Sequence, residues 1–248
     1  LIKIGTLGEY GQPNIDIPEG FFEVEYRGRT DILPFPKQAG SYYHWSKVHD
    51  SGNIMYACKI YGLRSTDIMQ GVIYGTSTDE MVSQDLRTRF DFDECFGTSL
   101  NRFTAQAVIG YPLTPYGKGT QRRGYAALRD ALRCYELVME HPPEQGEYRV
   151  VNEFSEHYSV NELAEKVQKA GEKIGLDVEI QHIENPRVEK EEHYYNPDCT
   201  WLRTHGWKRQ LDLESELEGM LLDLQKVKHR IKEKRSQIKP TVYWKGSK

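Results

Sequence analysis

The sequence predicts an α/β fold organised on a parallel sheet, and three observations carry that expectation. Apolar strand-like runs at Leu1 to Gly5 and Arg64 to Ile68 flank a helical stretch, giving the strand, helix, strand succession of a parallel sheet. The alternation resumes where a helical run at Leu128 to Glu140 leads into a strand at Tyr148 to Asn152. Finally, Ser159-Val160-Asn161-Glu162 is a capping box that opens another helix, so the two kinds of element keep exchanging along the chain.

Taken in order, Leu1 to Gly5 reads as a buried strand that ends in the polar turn Thr6-Leu7-Gly8-Glu9-Tyr10-Gly11. Residues 12 to 40 are rich in Pro, Gly and charge, with a hairpin at Phe21 to Tyr26 that turns near Arg27-Gly28-Arg29. A helix follows from Ser41 to Tyr61, then the strand Arg64 to Ile68, which runs into Gln70-Gly71-Val72-Ile73-Tyr74-Gly75. Phe96 to Ile109 fits a second helix, and Pro112 to Gly119 reads as a short strand ending in a turn. The capped helix continues to about Ile174, and Asp177 to Ile183 is a further strand. Asn196 to Gly206 suits a short helix and Leu213 to about Lys234 a long one. No internal repeat or low-complexity tract interrupts this pattern.

Composition narrows the function classes. With 248 residues, 38% of them apolar, the chain can bury a sizeable core. Its 33 basic and 37 acidic residues give a formal charge of -4, which offers no general attraction to nucleic acid or to an anionic membrane. Any anion it binds must therefore be gripped locally. Cys58, Cys95, Cys134 and Cys199 are scattered, without a CxxC pair or a close histidine, so neither a zinc site nor a disulfide framework is expected, and a reducing compartment follows. His193 stands among glutamates without a second histidine at ligand spacing, and no metal is expected there. No run approaches the roughly 20 apolar residues of a membrane span, so a soluble protein is expected. The chain opens at Leu1 directly on a strand, which reads as a truncated start.

The chemistry concentrates near residue 43. Tyr43-His44-Trp45-Ser46-Lys47 sets a phenol and an ammonium four residues apart, on one face of a helix. A phenol with an ordinary pKa of about 10 is a poor base at neutral pH, but a nearby cation favours its phenolate. The spacing alone is weak, because it recurs in many helices. Here, however, a strand ending in Gly5-Thr6 precedes the helix and supplies a hydroxyl for the same substrate oxygen.

With Thr6, Tyr43 and Lys47 in this order, the sequence resembles the extended short-chain dehydrogenase/reductase family. More specific wording, in Gly5-Thr6-Leu7-Gly8-Glu9-Tyr10-Gly11, Pro34-Phe35-Pro36-Lys37-Gln38-Ala39, Tyr43 to Asp50, and Asn185-Pro186-Arg187, resembles the branch of that family that makes sulfonated sugar nucleotides. The resemblance covers essentially the whole chain. It implies the C-terminal part of a Rossmann-type fold plus a smaller α/β substrate-binding domain. Residues 1–80 would be the remainder of the cofactor domain and 81–248 mainly the sugar-nucleotide domain, with about 126–158 returning to the first.

It also implies roles. Thr6, Tyr43 and Lys47 would be the catalytic triad, His44 would serve the departing hydroxyl at sugar C6, and Glu9 is a second candidate for the C5 base. NAD would be the cofactor, contacted by Tyr43, Lys47, Gln70 and Val72. UDP-glucose and sulfite would be the partners, the sugar nucleotide being held by Thr6, Gln70, Asn101, Arg102, Tyr116, Gln121, Arg123 and Arg187. The intact protein is expected to be a homodimer, in a plastid stroma or a bacterial cytoplasm.

Three departures matter. Nucleotide-sugar dehydratases of the family carry Asp-Glu after the catalytic threonine, whereas Leu7 and Gly8 stand here and cannot transfer protons. Ala126-Ala127 follows Tyr125 where the family more often has a polar or acidic residue. No GxGxxG turn occurs, so these residues alone are expected to have little NAD affinity, and the strands at Leu1 to Gly5 and Arg64 to Ile68 are expected to present an unpaired edge. A UDP-sugar 4-epimerase or decarboxylase, and a non-catalytic sugar-nucleotide-binding fragment, are the alternatives.

Overall fold

The computed structural model describes residues 1–87, 89–94, 96–186 and 194–239. In chain order the elements are β1 (Ile2–Ile4), β2 (Phe21–Tyr26), β3 (Arg29–Pro34), α1 (Tyr42–Tyr61), β4 (Ser65–Gln70), β5 (Val72–Tyr74), α2 (Ser99–Ile109) and β6 (Arg122–Ala127). There follow α3 (Leu128–Glu140), β7 (Tyr148–Glu153), β8 (Glu156–Ser159), α4 (Val160–Lys173), α5 (Thr200–Thr204), α6 (Leu213–Lys226) and α7 (Lys228–Glu233). The described residues form two compact units, one of residues 1–71, 130–155 and 194–209, the other of residues within 72–129, 156–186 and 210–239. The division thus falls after Gly71, not near residue 80, and 194–209 cluster with the first unit instead of the second.

The first unit holds a parallel sheet in the order β1-β4-β7. Alternate side chains of a strand leave opposite faces, and the two cores follow from that period. Ile68 and its register partner Val151 pack with Leu137, Val138, Leu202 and Trp207 on one face. Met69 and Val150 pack with Leu7, Tyr10, Ile17 and Phe35 on the other. β4 is paired on both sides, so the expected unpaired edge is corrected for this strand: it is the centre of the sheet, with β1 on one flank and β7 on the other. β2 and β3 form the expected hairpin. Its two-residue loop needs positive φ at both positions, met by Arg27 (φ 52°) and Gly28 (φ 73°).

The second unit has a sheet in the order β5-β6-β8, parallel between β5 and β6 and antiparallel between β6 and β8. Its core is built by Leu100, Phe103, Leu163, Val167, Leu217 and Leu221 from α2, α4 and α6, with Tyr74 and Tyr125 from the sheet. Ala126 and Ala127 are buried opposite Ile73 and Tyr74, which accounts for their small size as packing.

Helix boundaries follow caps. Ser41, Thr98 and Asp212 each accept a backbone N–H at the start of α1, α2 and α6. The Ser159 box forms as the sequence predicts, with Glu162 returning a bond to the Ser159 N–H. α2 accordingly starts at Ser99, three residues later than expected from Phe96. Residues 112–119 and 177–183 do not form regular strands. They run side by side through single parallel bridges, Leu113 with Ile180 and Tyr116 with Ile183, because Pro112 and Pro115 have no N–H to continue a ladder. The expected helix at Asn196 to Gly206 shortens to α5, since Pro197 is extended and bridges Ile17. The long terminal helix divides at Val227 into α6 and α7.

Candidate functional site

β1 runs out at Ile4, and the chain turns through Gly5 and Thr6 into a 3-10 turn, Leu7–Tyr10. Thr6 caps that turn, its Oγ1 accepting the Gly8 N–H at 3.1 Å. Helix α1 lies beside this junction and touches it through Lys47 and His44. Lys47 donates from Nζ to the Ile4 carbonyl at 3.0 Å, and its ammonium stands 5.9 Å from the Tyr43 ring centre. His44 abuts Gly8 so closely that a Cβ on Gly8 would fall 2.3 Å from Nε2. Thr6 is therefore bracketed by two residues, Ile4 and Gly8, that each meet the first turns of α1. Tyr43 is 61% exposed there. Leu7, by contrast, is buried in the core, and Gly8 backs the imidazole, so neither dehydratase-type position is open to a carboxylate.

A buried ionic cluster beneath the turn holds these parts together. Lys3, in the middle of β1, faces Asp67 across the parallel register and bonds its carboxylate at 3.1 Å. Its Nζ also reaches Glu9 Oε1 at 2.9 Å, Ser51 Oγ at 2.6 Å and the Lys47 carbonyl at 3.0 Å. Lys37 pairs with Glu9 Oε2 at 3.0 Å and sits 4.5 Å over the Tyr10 ring. Ser51 donates toward Glu9 and Asp67, and Tyr148 donates to Asp67 at 2.6 Å. One network therefore ties β1, the 3-10 turn, α1, β4 and β7 around the Thr6 junction.

Glu9 is a member of that network, and the expectation that it removes the C5 proton is corrected. It is wholly buried with both oxygens bonded. Burial raises its pKa, but the Lys37 and Lys3 ammonium groups outweigh this and hold the carboxyl below its usual range. A carboxylate so placed anchors the turn; it is a poor acceptor for a substrate proton.

Gln70, at the end of β4, donates its amide to the Tyr135 hydroxyl at 2.5 Å. Beside it Glu153 is fully buried at the end of β7. Burial and the Asp130 charge push its pKa up to about 8, against the amide of Gln70.

The nucleotide-site candidates of the second unit form their own group. Arg102 is buried, donates to the Tyr116 hydroxyl at 2.8 Å and the Thr114 carbonyl at 3.2 Å, and lies 4.1 Å over the Tyr116 ring centre. Gln121 donates to the Tyr116 carbonyl at 3.3 Å. Arg102 and Gln121 thus converge on Tyr116. Asn101 turns away to the Asp91 carbonyl at 3.1 Å. Arg123 lies on β6 opposite Tyr158, and Val72 on β5 opposite Tyr125. Arg187 lies outside the described residues, as does His193. Sequence reasoning missed Lys3, Lys37, Ser51 and Asp67. The available signal was charge inside strand patterns, Lys3 in Leu1-Ile2-Lys3-Ile4 and Asp67 in Thr66-Asp67-Ile68-Met69.

No family model matches the sequence. A chloroplastic UDP-sulfoquinovose synthase of Spinacia oleracea is 54% identical over 246 residues, which is 99% of this chain and 51% of that protein. A UDP-sulfoquinovose synthase of Sulfolobus acidocaldarius is 49% identical over 245 residues, 98% of this chain and 62% of that protein. Nearly the whole chain is thus similar to UDP-sulfoquinovose synthases. It spans about half to three-fifths of the length of these relatives. Among solved structures, a UDP-glucose 4-epimerase of Thermotoga maritima with UDP-glucose matches with a TM-score of 0.69 at 20% identity, over 91% of this chain and 63% of that one. A UDP-glucuronic acid 4-epimerase of Bacillus cereus, in complex with UDP-glucuronic acid and NAD, matches with a TM-score of 0.67, also at 20% identity, over 91% and 61%. The chain shares the α/β fold of these two epimerases. Among the described residues no helix is long and apolar enough to cross a membrane.

Proposed function

We propose that these residues carry the catalytic part of an NAD-dependent enzyme that converts UDP-glucose and sulfite into UDP-sulfoquinovose. The observation that carries the proposal is the bracketing of Thr6, with Lys47 bonded to Ile4 on one side and His44 seated on Gly8 on the other. Tyr43 takes the proton of the sugar C4 hydroxyl while the Thr6 hydroxyl holds that oxygen. With C4 a ketone, the C5 proton is lost as the C6 hydroxyl departs with a proton from His44, and sulfite then adds at C6 of the resulting alkene while C5 regains a proton. Nearby, Glu9 and Lys3 act only by fixing the turn.

Tyr43 and Lys47, half exposed beside the end of β1, fit the nicotinamide end of NAD, with Gln70 and Val72 as further contacts. Bound NAD would supply the hydride acceptor at C4 and return the hydride after sulfite has added. A glycine-rich phosphate turn is not among these residues, so they fit that end alone. For the sugar nucleotide, Arg123 and Arg187 are the diphosphate candidates and Tyr116 the uracil neighbour, with Arg102 and Gln121 setting the Tyr116 ring. A homodimer, in a plastid stroma or a prokaryotic cytoplasm, completes the proposal.

The test is an assay of the protein expressed from its whole reading frame. UDP-glucose, NAD and sulfite should yield a sulfonated sugar nucleotide, and Tyr43→Phe should abolish it with UDP-glucose binding retained. Release of a UDP-sugar epimer without sulfite would overturn the proposal.

A further inference from the structure

Ser41 stands at the N-cap of α1 with extended backbone (φ -148°, ψ 159°), and its Oγ accepts the His44 N–H at 3.2 Å. That bond alone would complete the cap. The same Oγ, however, also lies 3.0 Å from Nδ1 of the His44 ring. At the other end of the imidazole, a Cβ on Gly8 would fall 2.3 Å from Nε2, 2.6 Å from Cδ2 and 2.7 Å from Cε1. The ring therefore fills the volume that a side chain at position 8 would take. The Tyr43 ring closes a third side, tilted at 59° with its centre 5.2 Å away.

A hydroxyl has one hydrogen and two lone pairs. With one lone pair of Ser41 Oγ engaged by the His44 N–H, the hydroxyl still has a hydrogen to give Nδ1 of a neutral ring, and a ring that accepts it carries its own proton on Nε2. When the ring is cationic, the hydroxyl rotates and accepts Nδ1–H with its second lone pair. We propose that Ser41 and Gly8 are positioning residues for His44. They hold its imidazole in one orientation through both protonation states, with the exchangeable proton on Nε2, beside the turn capped by Thr6. The place of this device in the reaction rests on the role proposed above for His44; the tautomer does not.

The test is two-bond proton–nitrogen correlation NMR on the nitrogen-15-labelled chain, at a pH where the ring is neutral, with His44→Gln to assign the signals. Nε2 should give a protonated, pyrrole-type shift and Nδ1 an unprotonated, pyridine-type shift. Ser41→Thr keeps both the cap and the donor, and the pattern should stay. Ser41→Asp also keeps the cap, but a carboxylate can only accept, so the two nitrogen shifts should exchange and the ring titration should move to higher pH. Gly8→Ala should displace the ring and lose the single-tautomer pattern. A wild-type ring protonated at Nδ1, or a Ser41→Asp ring with unchanged shifts, would overturn the proposal. If the shifts exchange in Ser41→Asp while turnover of the whole-frame protein is unaffected, the positioning stands and the role given to His44 falls.

Discussion

Replacing Lys3 by methionine should destabilise the first unit severely, and the cost can be worked from its partners. The ammonium is 8% exposed as a residue and bonds Glu9, Asp67, Ser51 and the Lys47 carbonyl. After removal, Asp67 Oδ2 keeps Tyr148, Glu9 Oε2 keeps Lys37, and the single Ser51 hydroxyl hydrogen is shared between the two carboxylates. Glu9 Oε1 loses its partner, and Asp67 loses its only ion pair among the described residues, inside the core. Leaving a buried charge without its partner costs about 3–5 kcal/mol, of the order of half the stability of an ordinary domain. Urea unfolding of the chain followed by circular dichroism measures this directly, with Lys173→Met, in an exposed pair with Glu218, as a control that should leave the midpoint in place.

The pH dependence adds a second check. Glu9 has a folded pKa below its unfolded value, so its contribution is present above the unfolded pKa and is lost as pH falls through the folded one. With Lys3 gone, Glu9 keeps a single cation and its folded pKa rises, so protonation in acid relieves the variant. The gap between wild type and Lys3→Met should therefore be widest near pH 7 and narrow below about pH 5. A loss under about 1 kcal/mol at pH 7, or a gap independent of pH, would refute the argument that the cluster is held by charge.

Three further outcomes are expected. Gly52→Ala should raise stability by about 1 kcal/mol in thermal or urea unfolding, because Gly52 lies inside α1 and a Cβ there meets nothing within 4 Å. Ser159→Ala should cost about 1 kcal/mol by the same measurement, since it removes the hydroxyl that accepts the Glu162 N–H, while the bond from the residue-159 N–H to Glu162 stays. Glu153 has a folded pKa of about 8, above its unfolded value, so its contribution is full below the unfolded pKa and is lost as pH rises toward 8. Glu153→Gln should accordingly match wild type near pH 4 and exceed it progressively to pH 8, by up to about 1.4 kcal/mol per pH unit; unfolding curves that stay parallel from pH 5 to 8 would exclude this.

Helices and tight turns were legible in the sequence because their bonds are local. The Ser159 box, the Ser41 cap and the Arg27-Gly28 turn each complete their hydrogen bonds within a few residues, and each forms where it was expected. Strands were less so. Arg122 to Ala127 has no period-2 signature and becomes β6 only because β5 and β8 lie on its two sides, while 112–119 looks strand-like and is interrupted by its prolines. Among the site candidates, Thr6, Tyr43, His44 and Lys47 could be named from order and spacing. Glu9 was misjudged because its surroundings come from Lys3, Lys37 and Ser51, up to 42 positions away.

What the sequence determined alone is the alternation of elements, the residue types at the Thr6 turn and the likeness to the sugar-nucleotide enzymes. Only the tertiary structure decided which charges meet. The Lys3 ammonium and the Asp67 carboxylate are 64 residues apart in the chain, and the parallel register of β1 on β4 puts them 3.1 Å apart. Hydrogen bonding along a helix is fixed by neighbours in sequence, whereas a buried charge takes its partner, and so its role, from whatever strand lies alongside.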